Sequence, residues 1–231
     1  MPDLLYRWPP AAKVERRVPK EKFFEHDALH TAVRRKFIDE IARITWAYKL
    51  ATSTINLADS PEVPEIQVFE LAAKGDDVSD QVLAAIDKAI PIPIVFEITS
   101  NLEDERQTRM AACFKQISTG SGRTKVEPAV NRYFSTGWLH ANTERQSLPT
   151  AITLPALYVS LLEPLTSIGV RPGEELSKVG DRLKLVVALE REICSLENNL
   201  RKEKQLNRKI DLRRTLKTKQ TQLEQQRESH G

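Results

Sequence analysis

Glycine and cysteine are both scarce. The chain has 8 glycines in 231 residues, and they form no Gly-rich loop of the kind that cradles a dinucleotide. The 2 cysteines, Cys113 and Cys194, stand far apart. That excludes a disulfide framework and a thiolate zinc cage, and points to a reducing compartment. Long apolar runs are missing too. No segment approaches the length of a membrane span, and the first residues hold no apolar leader. A soluble, cytoplasmic protein with no membrane partner is the expectation. No Ser/His/Asp or Cys/His constellation can be assembled, and Cys113 sits among apolar neighbours as a core thiol would. His26 and His30 are four apart at a predicted helix start, a spacing that can ligate a metal. With no third ligand nearby they read as cap or surface residues.

What is present organises itself around residues 65–99. EIQVFELAA alternates like a half-buried strand, and so does PIPIVFEIT. Between them Val78, Val82, Ile86 and Ile90 recur every four residues, with Leu83 and Ala89 widening the stripe. That is an amphipathic helix, with Ser79 as its N-cap and Pro91 as its stop. Strand, crossover helix and strand favour a parallel pairing.

The flanking segments extend this unit. Residues 1–22 carry prolines and basic residues (Lys13, Arg16, Arg17, Lys20, Lys22) and read as an extended arm, at a sheet edge or in contact with phosphates. Val33, Phe37, Ile41 and Ile44 predict one helix from Leu29 to about Leu50, and a short strand over Ser53–Leu57 follows. After Thr99 an acidic loop (Glu103, Asp104, Glu105) leads into RMAACFKQI, read as a strand. STGSGRTK lacks Walker spacing and reads as a hairpin loop; NRYFSTGWL reads as the next strand, paired antiparallel with the first. Leu154–Ile168 is an apolar helix with Pro155 in its first turn and Pro164 as a kink or end. Gly169, Pro172 and Gly173 make a linker. The fold class is therefore α+β: a mixed sheet of four or five strands with packing helices in residues 1–170, then a long coiled-coil helix over 174–228.

In that tail Leu176, Val179, Leu183, Val186, Ile193 and Leu200 follow the three-four spacing of a coiled-coil seam. As a single helix it would be roughly 80 Å long, more stripe than a small domain can cover, so a homodimer or a partner helix is expected; the alternative is a hairpin of two helices breaking near Asn198 and Asn199 or near Asn207, which no proline or glycine supports. From Arg201 to Lys219 nine Lys or Arg face two acidic residues, while the whole chain is only +3. Arg201, Lys202, Lys204, Arg208, Lys209, Arg213, Arg214 and Lys217 are the candidate contacts to a DNA or RNA backbone. With no aromatics there, base stacking is not expected. The plainer reading is a solvated coiled-coil flank.

An enzyme reading needs carboxylates that hold Mg²⁺ on adjacent strands. Asp59, Glu65 and Gln67 imitate the acid and the Glu-x-Gln of a restriction-type nuclease. A proline-rich turn separates Asp59 from Glu65, no Glu-x-Lys is present, and Glu70 with Lys74 is one residue too wide. Structural roles are expected for Glu65 and Glu70, and capping roles for Asp87 and Lys88. Mg²⁺ enters only if the nuclease alternative holds; otherwise no cofactor is expected.

The ordered run of VPKEKFF, FIDEIARITWAYKLATSTINL, EIQVFEL, IDKAIPIPIVFEI and ACFK, with the tail LRKEKQLNRKIDLRRTLKTKQTQLE, resembles the bacterial family called domain of unknown function 4391. The resemblance covers most of the chain and brings no catalytic residues. It implies a setting beside helicases and DNA methyltransferases of restriction or anti-phage loci. The expected function is a non-catalytic accessory or scaffold subunit of a nucleic-acid-processing partner. The alternatives are a metal-dependent nuclease and a coiled-coil interaction protein that touches no nucleic acid.

Overall fold

A computed structural model describes residues 4–25, 31–102, 105–120, 123–166, 168–169, 171 and 173–228; side chains at 24–25, 101–102, 117–120 and 123–126 lie outside the description. The elements run β1 (Lys13–Arg17), α1 (Glu21–Glu25), α2 (Thr31–Glu40), β2 (Ile41–Leu50), α3 (Thr52–Ile55), β3 (Ile66–Ala73), α4 (Asp80–Ala89), β4 (Ile94–Leu102) and β5 (Glu105–Ala112). Then follow β6 (Lys115–Gly120), β7 (Arg123–Pro128), β8 (Phe134–Ser135), β9 (Leu139–His140), α5 (Leu154–Thr166), α6 (Leu176–Lys202) and α7 (Leu206–Arg227). Two compact units divide the chain, Met1–Leu165 and Thr166–Gly231. His26, His30, Glu103, Asp104 and Pro172 fall outside the described residues.

The first unit is built on a mixed sheet of 7 strands, ordered β1-β2-β3-β4-β5-β8 with β9 also on β5. That exceeds the four or five expected, because the basic arm and Ile41–Leu50 each supply a strand and the stretch from Asn131 to His140 divides into two two-residue strands. Both of these pair antiparallel with β5. β3 and β4 pair in parallel, Phe69 beside Phe96 and Glu70 beside Glu97. Alternation then sorts the side chains. Phe69, Leu71, Phe96 and Ile98 share one core with Phe37 of α2 and with Val82, Leu83 and Ile86 of α4. Each such large apolar side chain contributes about 1.5–3 kcal/mol on burial. Glu70, Glu97 and Thr99 alternate to the opposite face.

Two expectations fail for an identifiable reason. The predicted helix of residues 29–50 stops at Glu40, and Ile41–Leu50 is a strand. Its buried residues are Ile41, Ile44, Ala47 and Leu50, a spacing of three. The register to β3 shifts between Ile41 and Arg43 and again between Trp46 and Tyr48. Each bulge adds one residue and flips the facing of those after it. The first insertion sets Ile41 and Ile44 three apart on one core face; Ala47 falls at the second, and Leu50 is buried beyond it, opposite Ile66 and outside that core, so together the four imitate the period of a helix. Likewise Ser53–Leu57 is no strand: Thr52–Ile55 forms one helical turn, ended by Asn56 in the left-handed region at φ 55°.

RMAACFKQI is also two strands. β5 ends at Ala112, and β6 pairs with β7 as a separate two-stranded ribbon, with residues 121–122 outside the description. Around this break Tyr158 of α5 is fully buried. Its hydroxyl donates to the Cys113 carbonyl (3.0 Å) and accepts from the Lys115 N–H (2.8 Å), and its ring stacks on Phe114. Pro164 lies inside α5, which ends two residues later.

In the second unit the expected single helix is two, of 27 and 22 residues, interrupted at Glu203–Gln205. No glycine or proline makes this break. The Glu203 carboxylate accepts the N–H groups of Lys204 (2.7 Å) and Gln205 (2.8 Å), replacing lost helical bonds. α7 returns along α6: Lys219 pairs with Glu192 (2.7 Å) and Arg227 with Glu190 (2.7 Å). Arg171 and Arg182 donate to the carbonyls of Gln225 and Gln226 (both 2.9 Å), satisfying the end of α7, and Arg182 is held by Glu174. Leu176, Val179, Leu183 and Val186 are buried, whereas Ile193 and Leu200 are half-buried; α7 has no buried residue at all.

Candidate functional site

Two charged clusters of the first unit pair a buried carboxylate with a cation. Asp87, at the end of α4, is a core residue rather than the surface cap expected of it, while Lys88 beside it is exposed. Lys115 Nζ meets the Asp87 carboxylate at 2.8 Å and donates to the carbonyls of Asp87 (3.0 Å), Ile90 (2.8 Å) and Ile92 (2.7 Å). One buried ammonium thus closes the C-terminal end of α4. The Tyr133 hydroxyl and the Cys113 thiol (2.9 Å) donate to the same carboxylate. Burial, reinforced by the charge of Asp87, pushes both the Cys113 thiol and the Tyr133 phenol well above their ordinary pKa values. Cys113 is therefore a protonated core thiol.

The second cluster is on the opposite sheet face. Glu97, 2% exposed, takes two hydrogen bonds from Arg145 (2.6 and 2.9 Å) and one from Trp8 Nε1 (2.6 Å). Trp8 packs on Tyr6 and Tyr48. Arg145 is held protonated chiefly by its hydrogen bond to Glu97.

Glu70, the β3 neighbour of Glu97, differs. It is half-buried, and among the described residues its carboxylate has no ion pair or hydrogen bond. Burial first, and Glu97 second, raise its pKa above the ordinary glutamate value; Arg145, Arg43 and Arg106 pull the other way. It lines an open hollow of about 370 Å³ with Thr99, Arg106, His140, Asn142 and Arg145. A second hollow of about 280 Å³ shares Thr99 and Arg106 with the first and adds Arg43 and Ser100. Lys74, weighed as a partner for Glu70, donates instead to the Ile38 carbonyl (2.7 Å). The groups lining the two hollows come from five separate segments, and no sequence spacing marks them; the one local signal is a glutamate interrupting the apolar alternation of β3.

The nuclease candidates do not form a metal site. The structure brings Glu65 and Gln67 together, but Glu65 accepts from the Gln67 amide and is paired with Lys49 at 2.6 Å. Both oxygens are occupied, and Asp59 is exposed in the connection before β3. Among the described residues no group of three His, Cys, Asp or Glu is placed to hold a metal ion. No helix there is long and apolar enough to cross a membrane.

The basic residues of the second unit are regrouped by the break at Glu203. Arg201 and Lys202 end α6, where cations also suit the helix dipole. Lys204 is in the connection. Arg208, Lys209, Arg213, Arg214 and Lys217 follow on α7. Lys202 thus leaves the stripe it would form on one helix; Lys209, Arg213 and Lys217 keep it, about 6 Å apart along the axis. Lys209 is half-buried and the other seven candidates are exposed. Arg208 lies 3.9 Å from Glu203. Among the described residues the remaining seven make no ion pair. An open groove of about 790 Å³ at the connection is lined by Asn199, Lys202, Glu203, Lys204, Gln205 and Arg208, among others.

Fold and site define a class: an α+β unit with an internally paired polar core, joined to a helical hairpin whose turn concentrates unpaired positive charge. The chain belongs to the family described as Domain of unknown function (DUF4391), which matches residues 7–223. No curated protein and no solved structure matches it.

Proposed function

We propose that this protein is a non-catalytic accessory subunit that contacts a nucleic-acid backbone through the turn of its C-terminal hairpin and assembles with a nucleic-acid-processing partner. The observation that carries this reading is the charge of α7 and its approach. A helix with no buried residue gains little from packing. Seven unpaired cations around residues 201–217 repel one another, a cost that binding an anionic polymer removes. Such contacts are sequence-independent and salt-sensitive. Without aromatic residues in the segment, the contact is to phosphates and not to bases.

The half-buried seam residues Ile193 and Leu200, with exposed Leu206 and Ile210, support a coiled-coil contact to a partner helix or a second copy. The setting in bacterial restriction or anti-phage defence, beside a helicase or DNA methyltransferase, rests on the family resemblance. The occupied oxygens of Glu65 argue against the nuclease alternative.

Amine footprinting tests the contact. Bound duplex should protect Lys202, Lys204, Lys209 and Lys217 from acetylation while Lys13 and Lys36 stay reactive. Equal reactivity with and without duplex sinks the proposal and leaves the hairpin as a protein-interaction device.

A further inference from the structure

The open sheet face holds a carboxylate and two guanidinium groups that the fold leaves unmatched. Glu70 is half-buried and unpaired, one strand away from a Glu97 that takes three hydrogen bonds. Arg43 comes from β2, opposite Ala72 and thus on the Glu70 side of the sheet; Arg106 comes from β5. Both are exposed, and among the described residues neither makes an ion pair. They are near enough to bias the ionisation of Glu70, yet none of the three closes on another. The two hollows they line share Thr99 and Arg106 and so adjoin.

The lining restricts the ligand. Its apolar lining residues are all alanines (Ala72, Ala73 and Ala141), so an apolar molecule gains little there. A simple anion would suit Arg43 and Arg106 but would meet Glu70. A simple cation would suit Glu70 but would meet the arginines. The groove calls for a molecule that is anionic at one end and carries N–H donors at the other. Its hollows are at the lower end of the volumes that enclose small ligands, about 300–1,000 Å³. His140 also lines the first hollow and is exposed, its Nδ1 accepting from the Asn142 N–H (3.2 Å).

We propose that this groove binds a nucleoside phosphate. Arg43 and Arg106 hold the phosphate with charge-assisted hydrogen bonds, and Glu70 accepts an N–H of the base. Arg145 and Trp8, by holding Glu97, keep the neighbouring carboxylate from competing for the arginines. The site is independent of the hairpin contact and adds a small-molecule ligand to it.

The test is calorimetric titration of the full-length protein, in low salt, with AMP, GMP, CMP, UMP, ATP and GTP in turn, and with inorganic phosphate and the free nucleosides. At least one nucleotide should bind saturably in the sub-millimolar range, tighter than phosphate or its own nucleoside. Arg106→Ala and Arg43→Ala should each weaken it about tenfold, the effect of one lost charged contact. Glu70→Gln should weaken the nucleotide and, by removing the carboxylate that a simple anion meets, strengthen phosphate binding. Arg208→Gln/Lys209→Gln, in the hairpin, should leave it unaltered. The proposal is overturned if no nucleotide saturates at millimolar concentration, if phosphate alone binds as tightly, or if Arg106→Ala binds like the parent. Arg43 and Arg106 are exposed, so these variants fold, which unchanged thermal midpoints will verify.

Discussion

The two units handle charge in opposite ways. In the first, buried ions are matched: Lys115 meets one carboxylate and three carbonyls, and Glu97 meets a guanidinium and an indole. In the second, the close pairs lie away from the turn, where Arg182, Lys219 and Arg227 find Glu174, Glu192 and Glu190, and of the candidate cations near the turn Arg208 alone has a described ion pair, with Glu203 at 3.9 Å. Toward the turn the cations are left to solvent. A buried ion without partners costs several kcal/mol, whereas an exposed one costs almost nothing. Matching therefore reflects folding where charges are buried, and its absence at the turn is free to reflect binding. Glu70, with Arg43 and Arg106, is where the first unit departs from its own rule.

The comparison breaks most visibly at Lys115. Lys115→Met leaves Asp87 buried without its cation and uncaps α4, so stability should fall by about 3–5 kcal/mol. A urea midpoint unchanged from the parent would remove the distinction between the units. The opposite substitution set, Arg208→Gln, Lys209→Gln, Arg213→Gln and Arg214→Gln, should cost at most about 0.5 kcal/mol per site. It should nevertheless weaken duplex binding by ten- to a hundredfold at moderate salt, read by fluorescence anisotropy.

Two glutamates sharpen the comparison through pH. The folded pKa of Glu70 is raised, mainly by burial. Its contribution to stability is present below the ordinary glutamate range and is lost as pH rises through the raised value. Glu70→Gln should therefore raise the thermal midpoint at neutral pH by a degree or two and flatten its decline above pH ~4. The pKa of Glu203 is lowered by the N–H groups of Gln205 and Lys204. Its contribution is present above the ordinary glutamate range and is lost as pH falls through the lowered value. Acidification should thus loosen the hairpin turn, visible as faster amide exchange at Lys204 and Gln205, with no such response in Glu203→Gln. The smallest effect is at Glu15, which occupies φ 55° in the irregular edge strand β1. Glu15→Gly should stabilise by a few tenths of a kcal/mol, detectable as a slight rise in urea midpoint.

Sequence legibility followed regularity. The β3–α4–β4 unit was readable because, Glu70 aside, Ile66 to Ile98 keep regular periods of two and four. β2 was not, because bulges at two points gave its buried residues a helical spacing. The break at Glu203 was hidden because a side chain, not glycine or proline, satisfies the freed backbone. The basic segment was plain from composition; its folding into a turn was one of two open readings, with no residue to place the break at Glu203. The Glu70 groove was beyond reach. Trp8 and Arg145 stand 89 and 48 residues from Glu97, and only the sheet register brings Arg43 and Arg106 to the same face.

The most direct measurement is the affinity of the full-length protein for duplex DNA and duplex RNA across a salt series, beside the four-residue hairpin variant. If the turn holds phosphates with four to six cations, the logarithm of the affinity should fall with the logarithm of salt at a slope of about −4 to −5. The variant should lose most of that slope. No binding at low salt, or equal slopes for both proteins, would contradict the account.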